Sequence, residues 1–334
     1  MCIEIIEKEK LVSVPNLLGE KMTWVNYNPV KRMSWAYAGV SDDDTHFCTT
    51  DEAAWEYYPE HRLVYDKMKI CETQDIPYGP VGTIPSVYPV CVKPIINLMG
   101  GSIKSSVCHN VEEFKTIRDP SLFWSAYAMG DHFSVDYIMC RGEPVEHFTF
   151  YGEKLQHGAF DYWALTDIPE ETHRTIYNWL ETNLSDYTGC VNIEIIGHQI
   201  IEVQLRMGDI DRFGDATLME AIHTLYRKHH WEWDRDSGYF PDEFYLAALF
   251  AQPNITFDIN LSLIKKVFSD LTYYQIDDPN FYHTNPNHGN RIAIFCDNDW
   301  EKVARARNIA IALFSPDIDG KYVDCLRDFE ELRI

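Results

Sequence analysis

The residues of this sequence with the clearest chemical pattern lie between positions 189 and 208. Two short runs there, 191–195 and 201–205, alternate apolar with polar side chains. This pattern is typical of β-strands with one dry face and one wet face. A turn that contains Gly197 separates the two runs. The sequence therefore predicts a β-hairpin whose wet face collects several polar side chains.

The pairing register of this hairpin decides which polar side chains meet. With a three-residue loop at 197–199, Glu194 lies opposite Glu202 and Asn192 lies opposite Gln204. The branched side chains then share the other face, whereas a two-residue loop would place the two carboxylates on opposite faces. Because the first register keeps the apolar side chains together, we expect the three-residue loop.

Two carboxylates side by side repel each other unless a cation lies between them. Mg²⁺ is usually held by one or two carboxylates together with substrate phosphates. An arginine beyond the pair, Arg206, suits a phosphate oxygen. The pattern thus favours a magnesium and phosphate site at Glu194 and Glu202. The alternative is a solvated hairpin face with a cross-strand charge pair.

A second candidate for phosphate binding lies earlier in the chain. Residues 88–94 read as a short apolar strand that ends near Lys93, and a loop with Gly100, Gly101 and Ser102 follows. Glycines let backbone amides approach an anion, and a lysine supplies a point charge. The alternative is an ordinary surface loop with an exposed lysine.

The totals of the whole chain narrow the class of protein. With 334 residues, 46% of them apolar, the chain can bury a large core divided between two or three subdomains. The formal net charge of −23 argues against nucleic acid as a partner. Nine scattered cysteines and no visible secretory signal indicate reduced thiols in the cytoplasm. No apolar run approaches the ~18 residues of a membrane span, so a membrane partner is not expected.

The elements that must position the candidate residues follow from periodicity and from capping residues. Asn110 with Glu113 forms a capping box at the start of a helix, and residues 158–163 read as an aromatic-rich loop. We expect helices at 52–58, 65–75, 110–118, 170–185, 215–230, 262–271 and after 297–299, and strands at 11–14, 22–25, 88–94, 122–128, 132–138, 145–150 and 291–296.

Five segments, taken in order, resemble the ATP-grasp fold of carboxylate–amine ligases. They are Asp66-Lys67, 89–94 with the loop at 100–102, 130–136, Asn192-Ile193-Glu194 and 202–206. The resemblance covers roughly residues 65–212, and no specific member of the superfamily is identified.

The resemblance implies an α+β fold in which two α+β subdomains sandwich a nucleotide. Residues 1–64 would form a short N-terminal α/β region, residues 65–212 the ATP-grasp core with its lid, and residues 213–334 a C-terminal α+β extension. The segment Phe160-Asp161-Tyr162 also looks like one that D-alanine–D-alanine ligases place near the nucleotide γ-phosphate.

The resemblance also implies roles for single residues. Arg206 would neutralise the transferring phosphoryl group, and the metal ligands would be Glu194, Glu202 and Gln204. Phosphate contacts would come from Lys67, Lys93 and a lid loop with Gly100, Gly101 and Ser102, and adenine would bind the backbone of Ser125, Ala126, Tyr127 and Ala128.

Three features depart from the family pattern. Gln204 stands where the family usually has Asn, which could shift a metal position. His132 stands where the family often has a ribose-binding Glu. The separation between Lys67 and Lys93 is short for the family, which puts the assignment of Lys67 in question.

The resemblance implies an ATP-dependent ligase that uses Mg²⁺ and releases ADP and phosphate. A small-molecule carboxylate would form an acyl phosphate, which an amine or a thiol then attacks. One alternative within the fold is a small-molecule kinase, and an alternative of another class is a nucleotide-binding or regulatory protein without turnover, which Gln204 and His132 favour. A further alternative is an interaction protein that binds no nucleotide, in which Lys93 and Glu202 would lie far apart.

Overall fold

The computed structural model describes most of the chain between residues 48 and 313. The described residues are 48, 50–98, 104–154, 160–208, 210–213, 215–235, 240–251, 268, 270–276 and 290–313. The strands predicted at 11–14 and 22–25, the lid loop with Gly100, Gly101 and Ser102, and most of the helix predicted at 262–271 lie outside them.

The described chain folds into two antiparallel sheets with helices between and around them. The helices are α1 (Asp51–Tyr57), α2 (Lys67–Glu72), α3 (Val111–Phe114), α4 (Glu170–Asn183), α5 (Ala216–Lys228) and α6 (Trp300–Leu313), with 3₁₀ helices at Pro59–Tyr65 and Ile210–Phe213. The strands are β1 (Tyr78–Pro80), β2 (Val90–Pro94), β3 (Ser106–Cys108), β4 (Leu122–Ala126), β5 (His132–Cys140), β6 (Glu143–Lys154), β7 (Phe160–Thr166), β8 (Gly189–Ile196), β9 (Gln199–Gln204), β10 (Tyr245–Ala251), β11 (Tyr273–Ile276) and β12 (Asn290–Asp297).

The first sheet is small, with strand order β1-β4-β2-β3. The second has eight strands in the order β11-β12-β10-β7-β6-β5-β8-β9, so the hairpin of interest forms one end of it. Strands β10 to β12 continue the sheet that β5 to β9 begin. The segment after residue 213 therefore extends the central sheet.

Side-chain alternation gives the large sheet two different faces near the hairpin. One face is apolar, because Val135, Val191, Ile193 and Val203 are buried there together with Ile176 of α4. The opposite face of β5, β8 and β9 carries the polar side chains. Towards β6 and β7 this second face becomes apolar as well and packs against α5.

Helix α2 lies between the two sheets. Cys71 packs with Phe123 of the small sheet, whereas Ile70 belongs to the core beneath the large sheet. Just beyond the helix, the Gln74 side chain donates to the Ile200 carbonyl at 2.9 Å and accepts from the Ile200 amide at 2.8 Å. Gln74 thus hydrogen-bonds the outer edge of β9 as a neighbouring strand would.

The covalent link between the sheets is held against the turn of the hairpin. Residues 127–131 join β4 to β5, and the Gly197 amide donates to the Asp131 carbonyl at 2.8 Å. Gly197 has a φ of +58°, and a Cβ atom there would lie 2.5 Å from the Met129 carbonyl oxygen. The close approach of two backbone segments requires glycine at this position.

The capping residues predicted from the sequence are confirmed, but α3 is shorter than expected. Asn110 accepts a hydrogen bond from the Glu113 amide, and Glu113 accepts one from the His109 amide. The helix ends at Phe114 instead of Arg118, because the backbone bonds then change to a tighter turn of i to i+3 spacing.

Residues 160–163 of the segment expected to be a loop belong to strand β7, so the prediction was wrong for them, and residues 158 and 159 lie outside the described residues. The strand pairs with β6 on one side and β10 on the other. Its side chains enter two different cores, with Trp163 on one face and Tyr162 on the other. Because both faces are covered, the segment lacks the polar alternation that marks a half-exposed strand.

None of the described helices is long and apolar enough to cross a membrane.

Candidate active site

The β8–β9 hairpin brings the predicted polar residues together. Glu194 lies directly opposite Glu202, and Asn192 lies opposite Gln204. This facing is the one that the sequence predicted. The two glutamate side chains are partly exposed, whereas Asn192 and Gln204 are buried at the same end of the sheet.

The loop that produces this facing differs from the prediction. Ile196 pairs with Gln199, so the turn spans two residues instead of three, and the predicted three-residue loop is wrong. The register shifts between Glu194 and Ile195, which leaves Ile201 as one extra residue on β9. Such a β-bulge restores the alignment of the carboxylates that a two-residue loop would otherwise have broken.

Each carboxylate of the pair is matched by a cationic or donor side chain from another element. Lys67, at the start of α2, places its Nζ 2.9 Å from Oε1 of Glu202. His132, the first residue of β5, donates from Nε2 to Oε2 of Glu194 at 3.2 Å. The Lys67 and His132 side chains are 5% and 6% exposed, so both contacts form at the base of the site.

The protonation of Glu194 reflects opposing effects. Burial favours the neutral carboxyl group, but the hydrogen bond and charge of His132, followed by the charges of Lys67 and Arg206, bring the pKa of Glu194 below its usual value. Glu194 is therefore an anion at neutral pH. The shift also shows that Lys67 and Arg206 act on the same carboxylate.

Lys93 reaches the same hairpin from the small sheet. Its Nζ donates to the carbonyl of Ile201 at 3.1 Å. Ile201 is the extra residue of the bulge, so the lysine bonds to backbone at the point where the regular ladder is interrupted. Lys93 thus contacts the residue next to Glu202. An interaction protein without a nucleotide site was expected to hold Lys93 and Glu202 far apart, and they are close.

A buried polar network lies beside the carboxylate pair. Asn192 donates to Ser134 at 2.9 Å and to Asp136 at 3.0 Å, and the Gly208 amide donates to the same Asp136 oxygen at 2.5 Å. A Cβ atom at Gly208 would lie 2.9 Å from that oxygen, so a larger residue there would have to displace the Asp136 side chain. Ser134 and Asp136 were not among the predicted site residues, although both follow His132 at the two-residue spacing of one strand face.

Arg206 is held by a residue that the sequence did not indicate. Its Nε and Nη2 atoms each lie 3.3 Å from an oxygen of Asp51, the first residue of α1. Tyr65 donates to Asp51 at 3.4 Å and accepts from the Leu205 amide at 3.0 Å. Burial, opposed by Arg206, raises the pKa of Asp51 to about 6. Asp51 and Arg206 are 155 positions apart, so the local sequence pattern does not indicate that they are in contact.

The predicted adenine-binding segment lies at the junction of the two sheets. Ser125 and Ala126 end β4, and Tyr127 and Ala128 begin the link to β5. The Ala126 amide donates to Pro77 and the Tyr127 amide donates to Pro89. These two amides are therefore already bonded, and an adenine contact would fall to other backbone groups of the segment.

The residues of the aromatic and acidic segment in β7 have two different roles. Phe160 and Trp163 surround His132 edge-on, with ring centroids 4.8 and 5.7 Å away. Asp161 instead forms a buried ion pair with Arg307 of α6 at 2.6 Å. Asp161 thus holds α6 to the sheet, and Phe160 is the part of the segment that reaches the site.

The donor set at the hairpin fits a hard divalent cation. One oxygen of Glu194 and one oxygen of Glu202 take part in the described contacts. Paired carboxylates with an amide nearby suit Mg²⁺ that is bound together with phosphates. Among the described residues no three His, Cys, Asp or Glu side chains form a complete metal cage.

Known proteins resemble the chain in structure but not in sequence. No protein-family model and no curated protein matches it. An L-amino acid ligase from Bacillus licheniformis superposes with a TM-score of 0.56 at 12% identity, over 81% of this chain and 79% of that chain. An N5-carboxyaminoimidazole synthase from Aspergillus clavatus, solved with ADP and 5-aminoimidazole ribonucleotide, gives 0.54 at 9% identity over 81% of both chains.

A biotin carboxylase domain gives a similar result. The domain of the Hydrogenobacter thermophilus 2-oxoglutarate carboxylase, solved with MgADP, ADP and bicarbonate, has a TM-score of 0.52 at 12% identity. The match covers 83% of this chain and 69% of that chain. All three are ATP-grasp enzymes, and the predicted α+β ATP-grasp fold is confirmed.

Proposed function

We propose that this chain of ATP-grasp fold is an ATP-dependent ligase that joins a small-molecule carboxylate to an amine or a thiol, with release of ADP and phosphate. The observation that carries the proposal is the convergence of two carboxylates, two lysines and an arginine on one hairpin. Glu194 and Glu202 face each other there, while Lys67 and Lys93 arrive from two other elements.

The cations of the site would bind and orient the phosphates. Lys67 and Lys93 would contact the phosphate oxygens, and Arg206 would stabilise the charge that develops on the transferring phosphoryl group. Glu194 and Glu202, with Gln204 nearby, would hold Mg²⁺, which would neutralise phosphate charge. Gly100, Gly101 and Ser102 would cover the phosphates, and the segment from Ser125 to Ala128 would hold adenine.

The chemistry would proceed without a covalent protein intermediate. A substrate carboxylate oxygen attacks the γ-phosphorus, the bond to the β,γ-bridging oxygen breaks, and ADP leaves. The resulting acyl phosphate is attacked by the amine or thiol, which loses its proton as phosphate departs. The protein contributes orientation and charge stabilisation to both steps.

Calorimetric titration with ATP, in Mg²⁺ and then in EDTA, tests the proposal. We expect micromolar to millimolar affinity in Mg²⁺. Glu202→Gln keeps a hydrogen-bond acceptor for Lys67 but removes the charge, so the Mg²⁺-dependent part of the affinity should fall by about tenfold or more. Glu181→Gln, on the exposed side of α4, is the matched control and should bind like the wild type.

The result that would overturn the proposal is equally clear. If the wild type binds no ATP in either buffer, the chain is not an ATP-dependent ligase. If wild type and Glu202→Gln bind alike, Glu202 is not a metal ligand. Once binding is established, acid and amine pairs are screened for ADP release.

A nucleotide-binding protein without turnover is the second candidate. The favouring observation is that both carboxylates are already matched, Glu202 by Lys67 and Glu194 by His132. This candidate predicts Mg²⁺-dependent ATP binding without ADP release for any acid and nucleophile. The ligase predicts ADP release only when an acceptor carboxylate is present.

A further inference from the structure

One carboxylate of the candidate active site is held by a buried imidazole ring. His132 donates from Nε2 to Oε2 of Glu194 at 3.2 Å. Ser134, two residues after His132, lies opposite Glu194, so the ring and the carboxylate are diagonal neighbours across β5 and β8. The His132 side chain is 6% exposed, whereas that of Glu194 is 26% exposed. The donor is therefore buried, and the carboxylate that it holds reaches towards solvent.

Two aromatic rings of β7 restrict the movement of this imidazole. Phe160 and Trp163 lie edge-on to His132, and their own ring centroids are 4.1 Å apart. Both rings are packed directly on the backbone of β6, since a Cβ atom at Gly152 would lie 2.5 Å from Trp163 and 2.8 Å from Phe160. His132 cannot turn away from Glu194 without displacing these rings, so the direction of its hydrogen bond is fixed by packing.

Each glutamate of the pair has one oxygen engaged and one oxygen left for a ligand. Glu194 uses Oε2 for His132, and Glu202 uses Oε1 for Lys67 at 2.9 Å. In the part of the chain that the structure describes, no donor contacts the other oxygen of either carboxylate. Lys67 has a flexible stem that can exchange Glu202 for a phosphate, whereas the enclosed ring of His132 has no such freedom. Glu194 therefore keeps a single oxygen available.

We propose that His132 is a positioning residue that presents Glu194 to a metal through one oxygen and thereby makes the site select Mg²⁺ over Ca²⁺. This role rests on the proposed nucleotide site. Mg²⁺ demands near-ideal octahedral geometry, whereas Ca²⁺ accepts longer bonds and bidentate carboxylates. Without the hydrogen bond from His132, the Glu194 carboxylate would be free to turn and bind a cation through both oxygens, which favours Ca²⁺.

Calorimetric titration of the full-length protein with ATP in EDTA, in Mg²⁺ and in Ca²⁺ tests the proposal. The factor by which each metal strengthens ATP binding relative to EDTA defines a Mg²⁺ gain and a Ca²⁺ gain. In the wild type the Mg²⁺ gain should exceed the Ca²⁺ gain. His132→Leu removes the donor at similar volume, so it should lower the Mg²⁺ gain by about tenfold or more and the Ca²⁺ gain by less. Its ATP affinity in EDTA should not change.

Two further variants separate positioning from packing. His132→Gln places an amide nitrogen close to the position of Nε2, so most of the Mg²⁺ gain should return. His147→Leu is the matched control. His147 is a half-buried histidine of the same sheet and stacks on Tyr137, which belongs to the core on the face opposite the site. This variant should lose Tm and keep the wild-type ratio of the two gains.

The imidazole signals of the wild type test the same hydrogen bond without a substitution, and they decide the question even if His132→Leu does not fold. The Nε2 proton of His132 should give a ¹⁵N-edited NMR signal that is absent from His132→Gln. We expect this signal both in the free protein and with Mg²⁺ and ATP. Its loss on addition of Mg²⁺ and ATP would overturn the proposal, because His132 would then release Glu194 when the metal binds.

Four binding results would also overturn the role of His132. They are a wild type that gains no more from Mg²⁺ than from Ca²⁺, a wild-type ratio of gains in His132→Leu, an equal loss of both gains in that variant, and a loss in His132→Gln as large as in His132→Leu. If the wild type binds ATP with Mg²⁺ and one of these results is found, the proposed function stands and only the role of His132 falls. If the wild type binds no ATP in any buffer, both fall.

Discussion

The charged side chains of the candidate site are matched with one another before any ligand binds. Lys67 contacts Glu202, and Arg206 contacts Asp51. A phosphate that binds Lys67 would compete with Glu202, unless a divalent cation occupies the carboxylate at the same time. Nucleotide and Mg²⁺ should therefore bind with positive coupling, since each removes the competitor of the other.

The buried pair of Asp51 and Arg206 gives a testable pH dependence. The pKa of Asp51 is raised from 3.8 to about 6 in the folded chain. The unfolded chain thus loses this proton at lower pH than the folded chain does, so the contribution of Asp51 to stability falls as pH rises through this range. Asp51→Asn removes this titration and should gain about 1 kcal/mol relative to wild type between pH 5 and pH 8.

Urea unfolding of both proteins at pH 5 and pH 8 measures this difference. Asp270→Asn, an exposed aspartate in a turn, is the control and should show no comparable gain. A constant difference between wild type and Asp51→Asn at both pH values would contradict the raised pKa. The Asp51 carboxylate would then stabilise the fold. It would not restrain Arg206 at a cost in stability.

The hairpin shows which parts of the site can be predicted from sequence. Alternation of polar and apolar residues predicted that Glu194 would face Glu202, because the buried face constrains the register. The bulge at Ile201 could not be predicted, since its carbonyl is bonded by Lys93, 108 positions away. The role of Asp51 could not be predicted either, because its partner is distant in sequence.

The same reasoning explains the errors at the level of elements. Helices with a clear apolar face and a capping residue were predicted nearly to their ends, as for α5, which Asp215 caps. Strand β7 was taken for a loop because both of its faces are covered. Local pattern therefore identifies half-exposed elements well and interior strands poorly.

The turn of the hairpin is also a contact for the link between the two sheets. Gly197→Ala would place a Cβ atom 2.5 Å from the Met129 carbonyl oxygen, at a φ of +58°. The left-handed backbone alone costs about 1–2 kcal/mol, and displacement of the link adds to it. We expect the free energy of unfolding in urea to fall by about 2–4 kcal/mol.

Gly82→Ala provides a comparison, at a φ further from the left-handed region that L residues adopt. Gly82 also has a positive φ, +109°, but no atom lies within 4 Å of the added methyl group. Its cost is that of backbone strain without a steric contact. If Gly197→Ala costs only about 1–2 kcal/mol, the cost of the left-handed backbone alone, the link moves freely, and the turn does not fix the relative position of the two sheets.

At the scale of the whole molecule, the site concentrates cations in a strongly acidic chain. The protein carries 52 acidic and 29 basic residues. Lys67, Lys93 and Arg206 nevertheless gather at one end of the large sheet. If the proposed nucleotide site is correct, most of the acidic surface would repel the nucleotide, and these cations would attract it once a divalent cation offsets the charge of Glu194 and Glu202.

The same net charge makes the fold sensitive to salt. Surface repulsion acts over about 10 Å at 0.1 M salt and is screened at higher concentration. Raising NaCl from 20 to 300 mM should therefore raise the Tm, by about 2–4 °C for each kcal/mol of repulsion that is screened. Differential scanning calorimetry without nucleotide measures the change.

A charge-reduced variant tests whether repulsion is the cause. Glu56, Glu181 and Glu220 are exposed helix residues for which the described part of the chain shows no ion pair. Changing all three to glutamine should raise the Tm at 20 mM NaCl and reduce the response to added salt. A Tm that falls with NaCl would mean that screening weakens the ion pairs, such as Lys67 with Glu202, more than it relieves the repulsion. The acidic surface would then cost the fold little, and its role would lie in selecting what binds.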